Sequence, residues 1–147
     1  MQKEKLLISA CLLGVPCRYD GQSKPYPGIV EMLSERYELI PVCPEIYGGL
    51  STPRTPSERV GSRVMMRDGR DVTENYRKGA EATLALAVTL GARIALLKAK
   101  SPSCGKGKIY DGSFCANLVS GNGVTADLLI TNGITVYTED EIKQLLK

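Results

Sequence analysis

The chain has 147 residues, 43% of them hydrophobic and 24% charged, with a net charge of +3 and no histidine. This length suits one compact domain that buries roughly 68–70% of its unfolded surface without disulfide staples. The missing histidine excludes Ser-His-Asp and Cys-His catalysis and all histidine metal sites, while the mild charge, without a dense Lys/Arg run, permits tRNA as a partner but does not argue for it.

In chain order, Lys5 to Ala10 is an apolar run that predicts a buried strand ending at Cys11. A Gly- and Pro-rich loop follows from Gly14 to Pro27. Ile29, Val30 and Leu33 then stand at helical spacing within residues 27–36, with Pro27 at a tolerated early position. Tyr37 to Val42 reads as a second strand, ending at Cys43. From Pro44 to Pro56, three prolines and the Gly48-Gly49 pair argue against any helix. Ser62 to Val72 reads as a hairpin turning at Asp68-Gly69.

A long helix is expected from Glu74 to Leu90, capped by Thr73 and stopped by Gly91, with Tyr76, Ala80, Leu84, Ala87 and Val88 facing inward. Arg93 to Lys98 is a third buried strand, leading into the loop Ser101-Pro102-Ser103-Cys104-Gly105. Lys108 to Phe114 holds a Tyr-Asp-Gly turn. Val124 to Asn132 is a helix, Ile134 to Tyr137 a fourth strand, and Glu139 to Leu146 a closing helix with acidic residues in its first turn. Alternating strands and helices predict an α/β fold: a single three-layer domain with a mainly parallel, open, Rossmann-like sheet. Helices cover both faces and a small β-hairpin is inserted.

Ile8-Ser9-Ala10-Cys11 has the look of a lipoprotein cleavage box. The apolar stretch before the cysteine runs only from Leu6 to Ala10, short of the roughly 7–15 residues of a signal core. No segment is long enough to span a bilayer, and the expected location is the cytoplasm. Five cysteines in a reducing compartment, without paired C-x-x-C spacing, point to metal or catalytic use rather than a disulfide framework.

Three of those cysteines share one topological address. Cys11 follows strand one, Cys43 follows strand two, and Cys104 lies in the loop after strand three. Open parallel sheets hold ligands beyond the carboxyl ends of their strands, so three thiols distant in sequence are expected to meet there. Thiolates without histidine suit zinc, with Cys17 as a fourth ligand, or an iron–sulfur cluster. Spacing alone leaves both open.

The wording of the motifs narrows the choice. Ser9-Ala10-Cys11-Leu12-Leu13-Gly14 with Cys17-Arg18-Tyr19-Asp20-Gly21 resembles the opening of the 2-thiouracil desulfidase family. Val42-Cys43-Pro44-Glu45 with Gly48-Gly49-Leu50 and Pro53-Arg54 is similar to its second signature. Lys100-Ser101-Pro102-Ser103-Cys104-Gly105 and Gly121-Asn122-Gly123-Val124-Thr125-Ala126 are similar to its third and fourth. The resemblance implies a [4Fe-4S] cluster held by Cys11, Cys43 and Cys104 with one iron left open. It also implies non-redox removal of sulfur from 2-thiouracil or a related thiolated base or nucleoside. Cys17 also falls in a motif, whereas Cys115 lies outside them and reads as packing.

A C=S sulfur is soft and suits an open iron acting as Lewis acid. Without histidine, Glu45 is the natural base for the attacking water; the plainer reading pairs it with Arg54 or Arg59. Ser101 is a candidate proton relay, and Ser103 and Gly48 are candidate substrate contacts. The competing functions are a zinc-stabilised binding protein and an iron–sulfur electron carrier. Gly121 to Ala126 also fits a dinucleotide fingerprint, but a Gly-rich turn entering a helix near the substrate is the preferred reading. The arginines from Arg54 to Arg70 suit either a phosphate or a solvated surface.

Overall fold

The structure is a computed structural model that describes residues 3–147. Its strands are β1 (Glu4–Ser9), β2 (Tyr37–Val42), β3 (Ser57–Val60), β4 (Arg63–Met66), β5 (Ile94–Leu97), β6 (Lys108–Tyr110), β7 (Leu118–Ser120) and β8 (Thr135–Thr138). Its α-helices are α1 (Ile29–Leu33), α2 (Pro44–Tyr47), α3 (Thr73–Leu90), α4 (Val124–Thr131) and α5 (Ile142–Leu145). Short 3-10 turns occupy Ala10–Leu13 and Glu139–Glu141.

β2, β1, β5 and β8 form one all-parallel sheet in that order. Successive residues of β1 point to opposite faces, as the pleat requires. Leu6 and Ile8 pack with Ile29 and Leu33 of α1 and Ile142 and Leu145 of α5. Leu7 packs on the other side with Ala87 of α3 and Ala126 and Leu129 of α4. The sheet is therefore the middle of three layers, as expected. The chain leaves β1 for β2 on one flank and returns to β5 on the other. The crevice at that change of direction opens beyond the carboxyl ends of β1, β2 and β5.

Several local expectations are corrected. The stretch after Cys43 does form a helical turn, α2, because Pro44 takes the first helical position, where its missing N–H costs nothing. The hairpin ladder pairs β3 with β4 across Gly61-Ser62, upstream of the expected turn. Asp68-Gly69 makes a second tight turn, with the Gly69 N–H bonded to the Met66 carbonyl at 2.9 Å. Thr73 does not cap α3; its hydroxyl instead accepts the Val64 N–H at 2.9 Å, joining the helix to the hairpin. The buried stripe of α3 runs through Tyr76, Gly79, Ala80, Thr83 and Ala87, while Val88 is 72% exposed. A second small hairpin, β6–β7, was not foreseen, since β7 is exposed at every residue and carries no alternation.

Backbone contact between α2 and α3 fixes the floor behind Cys43. A Cβ on Gly79 would lie 2.0 Å from the Pro44 carbonyl oxygen, and one on Gly48 would lie 2.0 Å from the Asn75 carbonyl oxygen. No side chain fits at either place. Among the described residues, no helix is long and apolar enough to cross a membrane. Gly79→Ala is expected to lower stability by about 1–3 kcal/mol through overpacking, read as a lower urea midpoint. An unchanged midpoint would mean that α2 parts freely from α3.

Candidate active site

A cavity of about 590 Å³ opens over the carboxyl edge of the sheet, and Cys11, Cys17, Cys43 and Cys104 all line it. Each arrives from a different local structure. Cys11 sits in the 3-10 turn directly after β1, its carbonyl accepting the N–H groups of Gly14 and Lys24 at 3.2 and 3.0 Å. Cys43 is the residue before α2, and its carbonyl accepts the Tyr47 N–H at 3.1 Å. Cys17 lies in the loop between the Ala10–Leu13 turn and α1, its thiol against those of Cys11 and Cys43. The Cys43 thiol also points at the Cys17 carbonyl, 3.9 Å away.

Cys104 is set by a different device. The Ser101 hydroxyl oxygen accepts the N–H groups of Ser103 and Cys104, both at 3.1 Å, which curls the loop into a capped turn. The first turn of α4 holds that loop from behind. Val124 N–H donates to the Pro102 carbonyl at 2.9 Å, and Thr125 and Ala126 N–H groups donate to the Ser103 carbonyl at 2.8 and 3.1 Å. The orphan donors of the helix end are thus already satisfied. Gly123 permits this approach, since a Cβ there would meet the Ser103 carbonyl at 2.4 Å. The Gly121 to Ala126 motif therefore grips the cysteine loop from outside the cavity lining, and neither dinucleotide nor substrate contact describes it.

Ser103 and Gly48 also stand apart from the cavity wall. Ser103 is fully buried with its hydroxyl 2.9 Å from that of Thr125, and Gly48 sits at the α2–α3 contact. Ser101 does line the cavity. With two N–H groups on its oxygen, its remaining capacity is chiefly to donate its own proton. Cys115 is exposed, its thiol 3.4 Å from the Ser113 carbonyl, and does not line the cavity.

Glu45 occupies the first turn of α2 and lines the cavity beside the thiols. Its partner is Arg54, whose guanidinium lies 3.4 Å from the carboxylate with both side chains largely buried. Arg54 also donates to the Cys17 carbonyl at 3.2 Å, to the Ser51 carbonyl at 3.2 Å and to the Thr52 hydroxyl at 3.1 Å. One guanidinium thus ties the Glu45 carboxylate to the Cys17 loop and to the turn holding the cis Thr52-Pro53 bond. The sequence offered Arg54 as a motif residue, a partner for Glu45 or a phosphate ligand, but not as a hub; five donors in a rigid fork suit it to that part.

Burial raises the Glu45 pKa above the ordinary carboxylate range, and Arg54 offsets part of that rise. The Cys17 thiol is pushed up first by its contact with Cys11, and Cys43 first by its contact with Cys17. Burial pushes the Cys104 thiol up, reinforced by the charge of Glu45. A bound metal would favour the thiolate form of such thiols, since metal ligation requires deprotonated cysteine. Among the described residues, no three Cys, Asp or Glu side chains close round the position of a single ion. Thiols without histidine are a soft donor set, which suits thiolate-bound iron or zinc.

The family model for 2-thiouracil desulfurase matches residues 6–141. The chain belongs to the 2-thiouracil desulfurase family. Among family relatives, it is 40% identical over 151 residues to the uncharacterized protein YbbK of Bacillus subtilis (strain 168), covering 96% of this chain and 99% of that one. A solved structure titled as a [4Fe-4S]-dependent thiouracil desulfidase, TudS, superposes with a TM-score of 0.91 at 47% identity, covering 97% of this chain and 95% of the other. The desulfurase fold and its resemblance in sequence therefore agree.

The Arg54–Glu45 pair gives a direct test of the site's construction. Arg54→Met strands a buried carboxylate and is expected to cost about 3–5 kcal/mol. Adding Glu45→Leu should recover most of that loss in chemical denaturation. Equal stability of both variants would mean that the pair is solvated.

Proposed function

We propose that this desulfurase removes sulfur from 2-thiouracil or a related small thiolated pyrimidine by hydrolysis, using a [4Fe-4S] cluster held by Cys11, Cys43 and Cys104. The observation that carries the proposal is the convergence of buried thiols on one cavity beside a buried carboxylate. Cys11 and Cys43 directly follow strands and the loop bearing Cys104 is docked on α4, which favours these three over Cys17. When bound, such a cluster supplies an iron with an open position, a Lewis acid for the soft C=S sulfur.

The chain's own groups do the rest. Glu45 takes a proton from water as the oxygen adds to the ring carbon, and Arg54 holds the carboxylate toward that water. Ser101, left with a proton to give, donates to the polar edge of the base or to the developing negative charge. Sulfur leaves as hydrosulfide while oxygen takes its place, so water is consumed and no electron is gained or lost. The Glu45 carboxylate in the cavity wall favours this reading over an electron carrier, which needs no proton-transfer group beside its cluster.

Anaerobic reconstitution followed by sulfide release from 2-thiouracil tests this reading. Cys11→Ala, Cys43→Ala and Cys104→Ala should each lose both the broad visible absorbance of the cluster and the activity. Cys17→Ala should retain the absorbance. Glu45→Gln should keep the cluster while kcat falls about 10²–10⁴-fold. Sulfide release that consumes a stoichiometric reductant would rule out the hydrolytic reading.

A further inference from the structure

Phe114 is the single phenylalanine of a chain without tryptophan. In a core that is otherwise aliphatic, a large apolar ring belongs inside. Instead it is only partly buried and forms part of the cavity wall. Its backbone is in the left-handed region, with φ at +59°, a conformation that is uncommon outside glycine and disfavoured for bulky residues. Surrounding structure must therefore hold it there.

That support is visible. The Glu58 carboxylate oxygen accepts the N–H groups of Gly112 and Phe114 at 2.9 and 3.1 Å, tying the 111–117 loop to β3. Gly112 meets Val60 so closely that a Cβ would lie 2.4 Å from its side chain. The Arg67 guanidinium, also in the cavity wall, stands 5.5 Å from the centre of the Phe114 ring. An aromatic ring backed by a cation, fixed by a buried-side carboxylate and left partly uncovered inside a cavity, is built to meet another flat group.

Resting on the pyrimidine reading above, we propose that Phe114 is a stacking platform for the substrate ring and a specificity-determining residue, with Glu58 and Arg67 as its positioning residues. Stacking of a base on an aromatic side chain is worth on the order of five- to a hundredfold in affinity. A free base has few other apolar contacts to offer, so the platform should matter most for the smallest substrates.

Titration of the holoprotein by calorimetry with uracil and with 5,6-dihydrouracil tests the proposal without requiring turnover. Both ligands offer the same hydrogen-bonding edge, but only uracil is a flat aromatic ring. Uracil should bind about tenfold more tightly to the wild type, a gap that Phe114→Leu removes and Phe114→Tyr preserves. In turnover, Phe114→Leu should raise KM about tenfold and leave kcat within roughly threefold. Equal affinity of the wild type for the two ligands overturns the proposal, as does a uracil preference that survives in Phe114→Leu. A preference lost in Phe114→Leu supports the platform even where no sulfide is released, and in that event the reaction assignment is what fails.

Discussion

The docking of one loop on one helix end is the constraint on which the site depends. Cys11 and Cys43 follow their strands almost at once, so the sheet itself determines where they stand. Cys104 lies well beyond β5, and nothing in the sheet would bring it back. It returns because the carbonyls of Pro102 and Ser103 satisfy the amide donors of the first turn of α4. Each side meets the other's need: a helix end with unpaired N–H groups and a loop with carbonyls otherwise exposed to an apolar interior. Thr125, fully buried, closes the joint with its hydroxyl on that of Ser103. Loss of this joint would free the third thiol while leaving the four-stranded sheet intact.

Electrostatics follow the same economy. Glu45 is buried next to thiols that also resist ionisation, an arrangement that would be destabilising without Arg54. The guanidinium spreads one charge over a carboxylate, two carbonyls and a hydroxyl, and so organises the cavity floor and its entrance loop together. At the carboxyl end of β5, Lys98 pairs with Glu139 at 2.8 Å, and the same carboxylate accepts the Ala99 N–H at 2.7 Å. The carboxyl edge of the sheet is thus pinned at both flanks by partly buried ion pairs that also carry backbone hydrogen bonds.

The parallel sheet was legible because β1 and β5 are short apolar runs and β1 and β2 each lead into a cysteine, a pattern that survives small errors in boundaries. The single turn of α2 was not legible. Pro44 and Gly48 were read as breakers, whereas they are the start and stop of that turn. Thr73 and Val88 were misread for a related reason: tertiary contact, with Val64 and with small residues on α3, decided their roles over local pattern. Of the candidate site residues, the four cysteines, Glu45 and Ser101 do line one cavity, because residues at strand ends and in their following turns have few other places to be. Ser103 and Gly48 stand in the same motifs but lie outside the cavity lining. A motif marks a segment that must keep its shape, and half of its residues secure that shape from behind.

The cavity joins two kinds of construction. Its floor of thiols and carboxylate rests on the parallel sheet, α2, α3 and α4, through backbone contacts at Gly48, Gly79 and Gly123 that leave no room for a methyl group. Its rim is made by the β3–β4 hairpin and the loop between β6 and β7, small antiparallel units joined to each other by Glu58. Arg59 joins the rim to the floor, donating to the Asn122 carbonyl at 2.6 Å and pairing with Asp127 at 3.5 Å. Arg67 is exposed and Phe114 only partly buried, so the rim is packed less tightly than the floor. On the proposed reading, the groups that break the C–S bond stand on the core of the fold and the substrate ring is met by its rim.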